Sequence, residues 1–262
     1  MKTNKAILVI SFGSTVEKAR KESIEPIEND LRNAFEDRVF YRAWTSDFVR
    51  KKVLENNGIS IASVEDALDE MINDGMTDVL IQLTHMLEGE ESMKAKEEIA
   101  AKAGEFEAVH IGRALLSDEP DMKAFVRILE KEYAQIPKNE MVVFMGHGSG
   151  HAKIPVYDLL NRQLDADGYP HMHVGSVEGN PGFFPVIKRI KERRPDHVTI
   201  APLLVVAGRH VMDDMSGDRP DSWKNVISAE GIKVSCVMKG LGEYKSVRDI
   251  YVRHAIETGR SL

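Results

Sequence analysis

Val142-Val-Phe-Met-Gly-His-Gly-Ser-Gly150 joins an apolar run to a glycine-rich turn that carries one histidine. A short apolar run bounded by turn residues reads as a buried strand, here Val142 to Met145. The chain opens on a counterpart, Ala6-Ile-Leu-Val-Ile-Ser-Phe-Gly-Ser14, with a strand from Ala6 to Ile10 and a turn at Ser11, Gly13 and Ser14. Each turn leads into a segment of helical periodicity. That order, strand then helix, implies a parallel sheet with helices on its faces.

Working outward, a charged helical segment is expected from about Val16 to Phe35 and a second strand from Val39 to Trp44. Ser63 caps the next helix, with Asp66 three residues on as a short-armed capping box. That helix places Val64, Ala67, Leu68, Met71 and Ile72 on one side and stops at Gly75. Val79 to Leu83 and Val109 to Leu116 complete four strands, with a loop at His85 to Glu91 between them. After Val142 the pattern repeats: a helix over Ile154 to Leu164, a strand over His173 to Val177, a helix over Phe183 to Arg193, strands over Val198 to Val206 and Val234 to Met238, and a C-terminal helix from Lys245.

The two passes overlay. Ser11-Phe-Gly-Ser14 falls on Gly146-His-Gly-Ser149, Trp44 on Glu178, and Asp78 to Glu91 on His197 to His210. Any α/β protein self-aligns loosely because its elements alternate, but three ordered matches of strand plus turn favour duplication. The expected fold is therefore α/β, two similar halves, each a parallel sheet flanked by helices, with a cleft between them. The boundary is expected near Gln135 to Asn139, giving halves 1–137 and 138–262.

Composition narrows the function classes. The chain has 262 residues, 35 Lys+Arg against 42 Asp+Glu, and one cysteine, Cys236. A net charge of −7 argues against an extended nucleic-acid footprint. One cysteine excludes an intrachain disulfide and a Cys-rich structural zinc site. The longest apolar stretch, Val198 to Ala207, is half the ~20 residues a membrane helix needs, and the N-terminus lacks the pattern of a cleaved signal. A cytoplasmic protein with neither membrane nor nucleic-acid partners is expected.

In open parallel sheets, ligands gather at the carboxyl ends of the strands. Three turns of the second half qualify, carrying His147, Glu178 and His210. Together they form a His₂Glu set able to hold a divalent metal while leaving positions open. Each has a plainer reading. His147 suits a helix cap or a bond to a carbonyl, Glu178 a solvated turn, and His210 a contact with Asp213 or Asp214. His171 and His173 share one strand face and differ in parity from Glu178, so solvent or a structural bond is expected for them. His85 follows a strand end beside Glu88, Glu90 and Glu91, and Glu91 overlays His210 in the repeat. Other devices fail: Gly146 to Lys153 lacks P-loop spacing, Ser149 is not in a nucleophile elbow, and no Arg precedes His147 as in phosphohistidine enzymes.

With those turns in hand the chain resembles the anaerobic-type sirohydrochlorin cobaltochelatases, within the single-subunit class II chelatases related to ferrochelatase. The resemblance rests on Ala6–Ser14, Gln82-Leu-Thr-His-Met-Leu-Glu-Gly-Glu-Glu91, Ile111–Leu116, Gly146–Ser149, Val177-Glu-Gly-Asn-Pro181 and Pro202–His210. It implies ATP-independent insertion of Co²⁺ into sirohydrochlorin, in cobalamin synthesis, with loss of two pyrrole protons. Metal ligands then fall on His147, Glu178 and His210, and a catalytic glutamate on Glu91, with His147 and His210 also catalytic. Ser11, Phe12, Gly13, Ser14, Gly148 and Ser149 are the expected tetrapyrrole contacts, with backbone N–H groups around Gly13, Ser14, Gly148 and Ser149 expected to seat its carboxylates at helix N-termini. Implied partners are sirohydrochlorin and a divalent ion, without an organic cofactor; a homo-oligomer is compatible with the sequence. Fe²⁺ insertion to give sirohaem, and a non-catalytic tetrapyrrole or metal carrier, are the rival readings.

Overall fold

The computed structural model describes residues 4–148 and 156–259. They form two compact units. In the first, β1 (Lys5–Ser11) leads into α1 (Glu17–Ala19), which passes through a π-helical turn (Arg20–Ile24) into α2 (Glu25–Ala34). Then come β2 (Val39–Trp44), α3 (Asp47–Asn57), α4 (Val64–Asn73), β3 (Asp78–Leu83), α5 (Glu90–Lys102) and β4 (Ala108–Gly112). The second holds α6 (Glu119–Glu132), β5 (Met141–Gly146), α7 (Val156–Ala166), β6 (Met172–Ser176), α8 (Phe183–Arg193), β7 (His197–Leu203), α9 (Trp223–Ser228) and β8 (Lys233–Cys236). The last helix, α10 (Lys245–Gly259), returns to the first unit.

Both sheets are parallel throughout and repeat one strand order, β2-β1-β3-β4 and β6-β5-β7-β8. The alternation read from the sequence is thus present as two sheets of like topology. Their central strands are buried along nearly their whole length, Ala6 to Ile10 in β1 and Met141 to Met145 in β5. Helices cover the faces, as buried parallel strands require. Ser63 accepts from the Asp66 amide at 3.0 Å and the Asp66 carboxylate accepts from the Ser63 amide at 3.2 Å, so the capping box forms as read.

Several expectations shift. In place of the expected halves 1–137 and 138–262, the units are residues 1–117 with 242–262, and 118–241. The reason lies in two helices that cross the expected boundary. α6 buries Phe125, Val126 and Leu129 and packs on α7, while the Tyr133 ring just beyond it stands edge-on to Phe144 of β5 at 5.2 Å. α10 packs on α2, β3 and β4 of the first unit. There Arg248 Nε donates to Asp30 at 2.7 Å, and the buried Tyr251 hydroxyl donates to the Thr84 carbonyl at 2.9 Å.

The strands expected over Val109–Leu116 and Val198–Val206 end early, at Gly112 and Leu203, and the last strand ends at Cys236. The segment His85 to Glu91 is a loop only to Gly89; Glu90 and Glu91 open α5. The helices α3, α5, α6 and α9 have no counterpart among the sequence expectations. α3 and α5 bury so few apolar side chains, Val49 and Val53 in one, Ala95 and Ile99 in the other, that their periodicity is faint. Among the described residues, no helix is long and apolar enough to cross a membrane.

Tyr251→Phe tests the assignment of α10. It leaves the buried Thr84 carbonyl without this donor, a cost of about 1–3 kcal/mol. Hydrogen exchange is expected to accelerate in β1–β4 and to stay unchanged in β5–β8; loosening of β5–β8 instead would contradict the division.

Candidate functional site

Three strands of the second unit end side by side. In the sheet register Gly146 of β5 stands opposite both Ser176 of β6 and Leu203 of β7. The turns leaving them therefore start together. The β6 turn then runs along the β5 turn, with the Val177 amide donating to the Gly146 carbonyl at 3.0 Å and the Glu178 amide to the His147 carbonyl at 2.8 Å. Ser176 pins the far side of its loop, its amide and hydroxyl both donating to the Pro181 carbonyl, at 2.8 and 2.7 Å.

The two glycines around His147 answer to this packing rather than to a ligand. Gly148 has φ +88°, and a Cβ there would sit 1.6 Å from the Glu178 carbonyl oxygen. A Cβ on Gly146 would meet the Tyr157 ring and hydroxyl at 2.6 Å. Burial pushes the Tyr157 hydroxyl up to about 12, with the neighbouring Gly148 and His147 backbone acting in the opposite direction. Ser149 lies outside the described residues. Sequence reasoning misses Tyr157, which there is one aromatic among the apolar positions of a helix.

The structure brings His147 and His210 together. Their rings are 4.9 Å apart between centroids and perpendicular. His147 Nδ1 lies 3.1 Å from the Gly148 carbonyl oxygen, and His210 Nδ1 lies 2.6 Å from Asp214 Oδ2. Carbonyl and carboxylate oxygens only accept, so each Nδ1 carries the proton in these bonds and each Nε2 is the nitrogen left for other work. Two imidazoles sharing one tetrahedral ion place their Nε2 atoms roughly 3.3 Å apart, from bonds of about 2.0–2.1 Å. Ring centres 4.9 Å apart suit that spacing.

Glu178 contributes its backbone to the His147 loop while the residue itself is exposed. Among the described residues no three His, Cys, Asp or Glu side chains converge as a complete metal site. The preassembled part of the expected His₂Glu set is its pair of imidazoles. The contact weighed for His210 falls on Asp214, because the π-helical turn Val211–Met215 starts at His210 and carries residue i+4 back over it. Arg219 Nη2 holds the other carboxylate oxygen, Oδ1, at 2.8 Å. Asp213 instead pairs with Arg209.

The remaining candidates belong to the first unit. Ser11 is buried, and its hydroxyl oxygen accepts from Thr84 Oγ1 at 2.8 Å; Ser14 Oγ accepts from the Val16 amide at 3.2 Å. Gly13 has φ +96° and lies under the Trp44 ring, where a Cβ would stand 2.8 Å from it. Phe12 is exposed between these fixed residues. The helix after this turn starts only at Glu17, and no side chain caps it. Glu91, in the first turn of α5, lines a cavity of about 20 Å³ with Trp44, Thr45, Arg50 and Ser63, and its Oε2 is buried without a hydrogen-bond partner among the described residues. His85 Nε2 is 3.5 Å from Thr45 Oγ1, and burial lowers its pKa to about 4. Glu88 turns to Lys96 at 2.6 Å. His171 and His173, expected at solvent or in a structural bond, are buried, and neither Nδ1 has a partner among the described residues. Burial lowers His173 to about 4.

Comparison with known proteins places these features in context. The family model described as Cobalt chelatase (CbiK) matches residues 5–259. The sirohydrochlorin cobaltochelatase of Salmonella typhimurium is 33% identical over 250 residues, 95% of this chain and 94% of that protein. The sirohydrochlorin cobaltochelatase CbiKC of Nitratidesulfovibrio vulgaris is 30% identical over 258 residues, 96% of this chain and 89% of its own. Among solved structures, SirB from Bacillus subtilis with Fe³⁺ aligns over 99% of this chain and 96% of its own, with a TM-score of 0.64 at 16% identity, a likeness of fold alone.

Gly148→Ala is expected to break the backbone pairing of the two turns. The amide signals of His147 and Glu178 should move in NMR spectra while those of β5 and β6 stay in place. His173 sets a pH dependence. Its folded pKa, about 4, lies below the ordinary 6.5, so its contribution is complete above pH 6.5 and is lost as the pH falls toward 4, where the unfolded chain takes up the proton first. His173→Gln should therefore lose less unfolding free energy than the parent between those pH values in denaturant titrations.

Proposed function

The chain belongs to the cobalt chelatase (CbiK) family, and from that premise we propose that it inserts Co²⁺ into sirohydrochlorin in cobalamin synthesis. The reaction consumes a divalent ion and a metal-free tetrapyrrole and releases the metallated ring and two protons. The observation that carries this reading is the pair of adjacent, perpendicular imidazoles, His147 and His210, each with its Nδ1 engaged and its Nε2 without a partner among the described residues.

Insertion needs ligands that hold a metal and then release it. Two imidazoles and a carboxylate leave positions for water and then for ring nitrogens, and a fuller ligand set would trap the ion. We assign the metal ion to His147 and His210, with the exposed Glu178 carboxylate as the third, anionic ligand. Neutral imidazole is also a competent proton acceptor near physiological pH. His147 and Glu91 are assigned to accept or relay the pyrrole protons. The resemblance that brings Glu91 into the mechanism finds support in its buried, unpartnered Oε2, a carboxylate oxygen not committed to a structural bond among the described residues. The first-unit turn at Phe12 and Gly13 is assigned to the tetrapyrrole, with exposed Phe12 as its apolar contact.

Anaerobic incubation with sirohydrochlorin and Co²⁺, followed by absorbance, tests the proposal. The protein should accelerate the change to the metallated spectrum over the spontaneous rate; binding without acceleration would indicate a carrier, and acceleration with Fe²⁺ alone a sirohaem enzyme. His147→Ala and His210→Ala should each remove the acceleration and leave the unfolding free energy in urea within about 0.5 kcal/mol of the parent, as for surface positions outside the core. Glu178→Gln should weaken Co²⁺ binding and slow insertion while metal-free tetrapyrrole still binds. Loss of tetrapyrrole binding with metal binding intact would make Glu178 a substrate contact.

A further inference from the structure

We infer that Asp214, itself oriented by Arg219, is a positioning residue that keeps the His210 proton on Nδ1 and so presents the Nε2 lone pair to the metal ion. The inference rests on the proposed role of His210 as a ligand, but its first consequence concerns the imidazole alone.

The geometry divides the two carboxylate oxygens between two donors. Oδ2 is 2.6 Å from His210 Nδ1, and Oδ1 accepts from Arg219 Nη2 at 2.8 Å. A neutral imidazole has one N–H, and its position decides which nitrogen can bind metal. A carboxylate facing Nδ1 admits only the tautomer with the proton there. Carboxylates behind metal-binding histidines act in this way in general, and losing one typically costs 10–100-fold in metal affinity. His147 has a weaker version of the device, a carbonyl oxygen at 3.1 Å. Among the described residues, His210 alone of the pair is held by a charged group that is itself held.

Arg219 makes the consequence sharp. It can only donate. In Asp214→Asn, Arg219 keeps the side-chain oxygen and leaves the NH₂ group facing His210 Nδ1. That nitrogen must then accept, and the proton moves to Nε2, the edge meant for the metal. The isosteric change is thus expected to be worse than removal of the side chain. In Asp214→Ala nothing dictates the tautomer, and part of the population keeps Nε2 free. Replacing Arg219 with Met in the Asn variant lets the amide turn over and offer its oxygen to Nδ1, so a second substitution restores what the first removed.

The experiment uses the full chain without tetrapyrrole. Two-bond ¹⁵N–¹H spectra of the neutral imidazoles, assigned against His210→Ala, report the tautomer of His210, and calorimetric titration with Co²⁺ reports affinity. Expected are an Nδ1-protonated ring in the parent, an Nε2-protonated ring in Asp214→Asn, and affinity falling in the order parent, Asp214→Ala, Asp214→Asn. The fall to the last should be about 10-fold or more, with partial recovery in Asp214→Asn/Arg219→Met. An Asp214→Asn protein that keeps Nδ1 protonated and binds Co²⁺ like the parent would overturn the inference. A reversed tautomer with unchanged Co²⁺ affinity would uphold the tautomer control and remove His210 from the metal site, which separates this inference from the functional proposal.

Discussion

The second unit depends on one close approach. The turn leaving β6 lies along the turn leaving β5, and the Glu178 carbonyl occupies the space that a side chain on Gly148 would fill. Because the chain there has φ +88° and no Cβ, the two turns hydrogen-bond as if the sheet continued past its last residues. That extension fixes where His147 leaves the backbone. Tyr157 completes it by filling the space beside Gly146. The glycine-rich signature therefore records packing between turns, and the histidine it carries inherits a rigid base.

The same packing explains what was legible. Strands buried on both faces are near-continuous apolar runs, so β1, β3 and β5 could be read to within a residue at each end. The rule that ligands collect at strand ends then selects His147 and His210, which do meet. Helices that bury only two or three side chains, such as α3 and α5, are invisible because their apolar stripes are too thin to show a period. The misplaced boundary has another cause. A turn between halves is a local feature, whereas the side on which α6 or α10 packs is decided by contacts distant in sequence: Tyr133 with Phe144, and Arg248 with Asp30. His171 and His173 show the same limit, since strand parity gives the face but not how deeply α7 and α8 cover it.

Four of the histidines fall into two kinds of environment. His173 is buried and His85 half-buried, and desolvation holds both neutral well into the acid range. They serve packing at neutral pH and become liabilities in acid. His147 and His210 stand at strand ends, one exposed and one half-exposed, each with Nδ1 turned to an oxygen. Exposure leaves them able to exchange partners, and the oxygen behind each gives the ring a direction.

The proposed metal site, His147, His210 and Glu178, would not choose cobalt by ligand type. Imidazole and carboxylate bind Ni²⁺ and Cu²⁺ more tightly than Co²⁺, and Zn²⁺ competitively, by the general ordering of divalent ions. Selectivity at binding would need geometric closure, yet no complete three-residue cluster exists among the described residues. A partial site made of two directed lone pairs and one exposed carboxylate is poorly suited to discrimination and well suited to hand-over, because an incomplete shell is completed most readily by the incoming ring nitrogens. In the proposed reaction, discrimination would then fall to the exchange step, where an ion must give up protein ligands and water in turn. Ions that hold imidazole most tightly are slowed there, which reverses the advantage they have on binding.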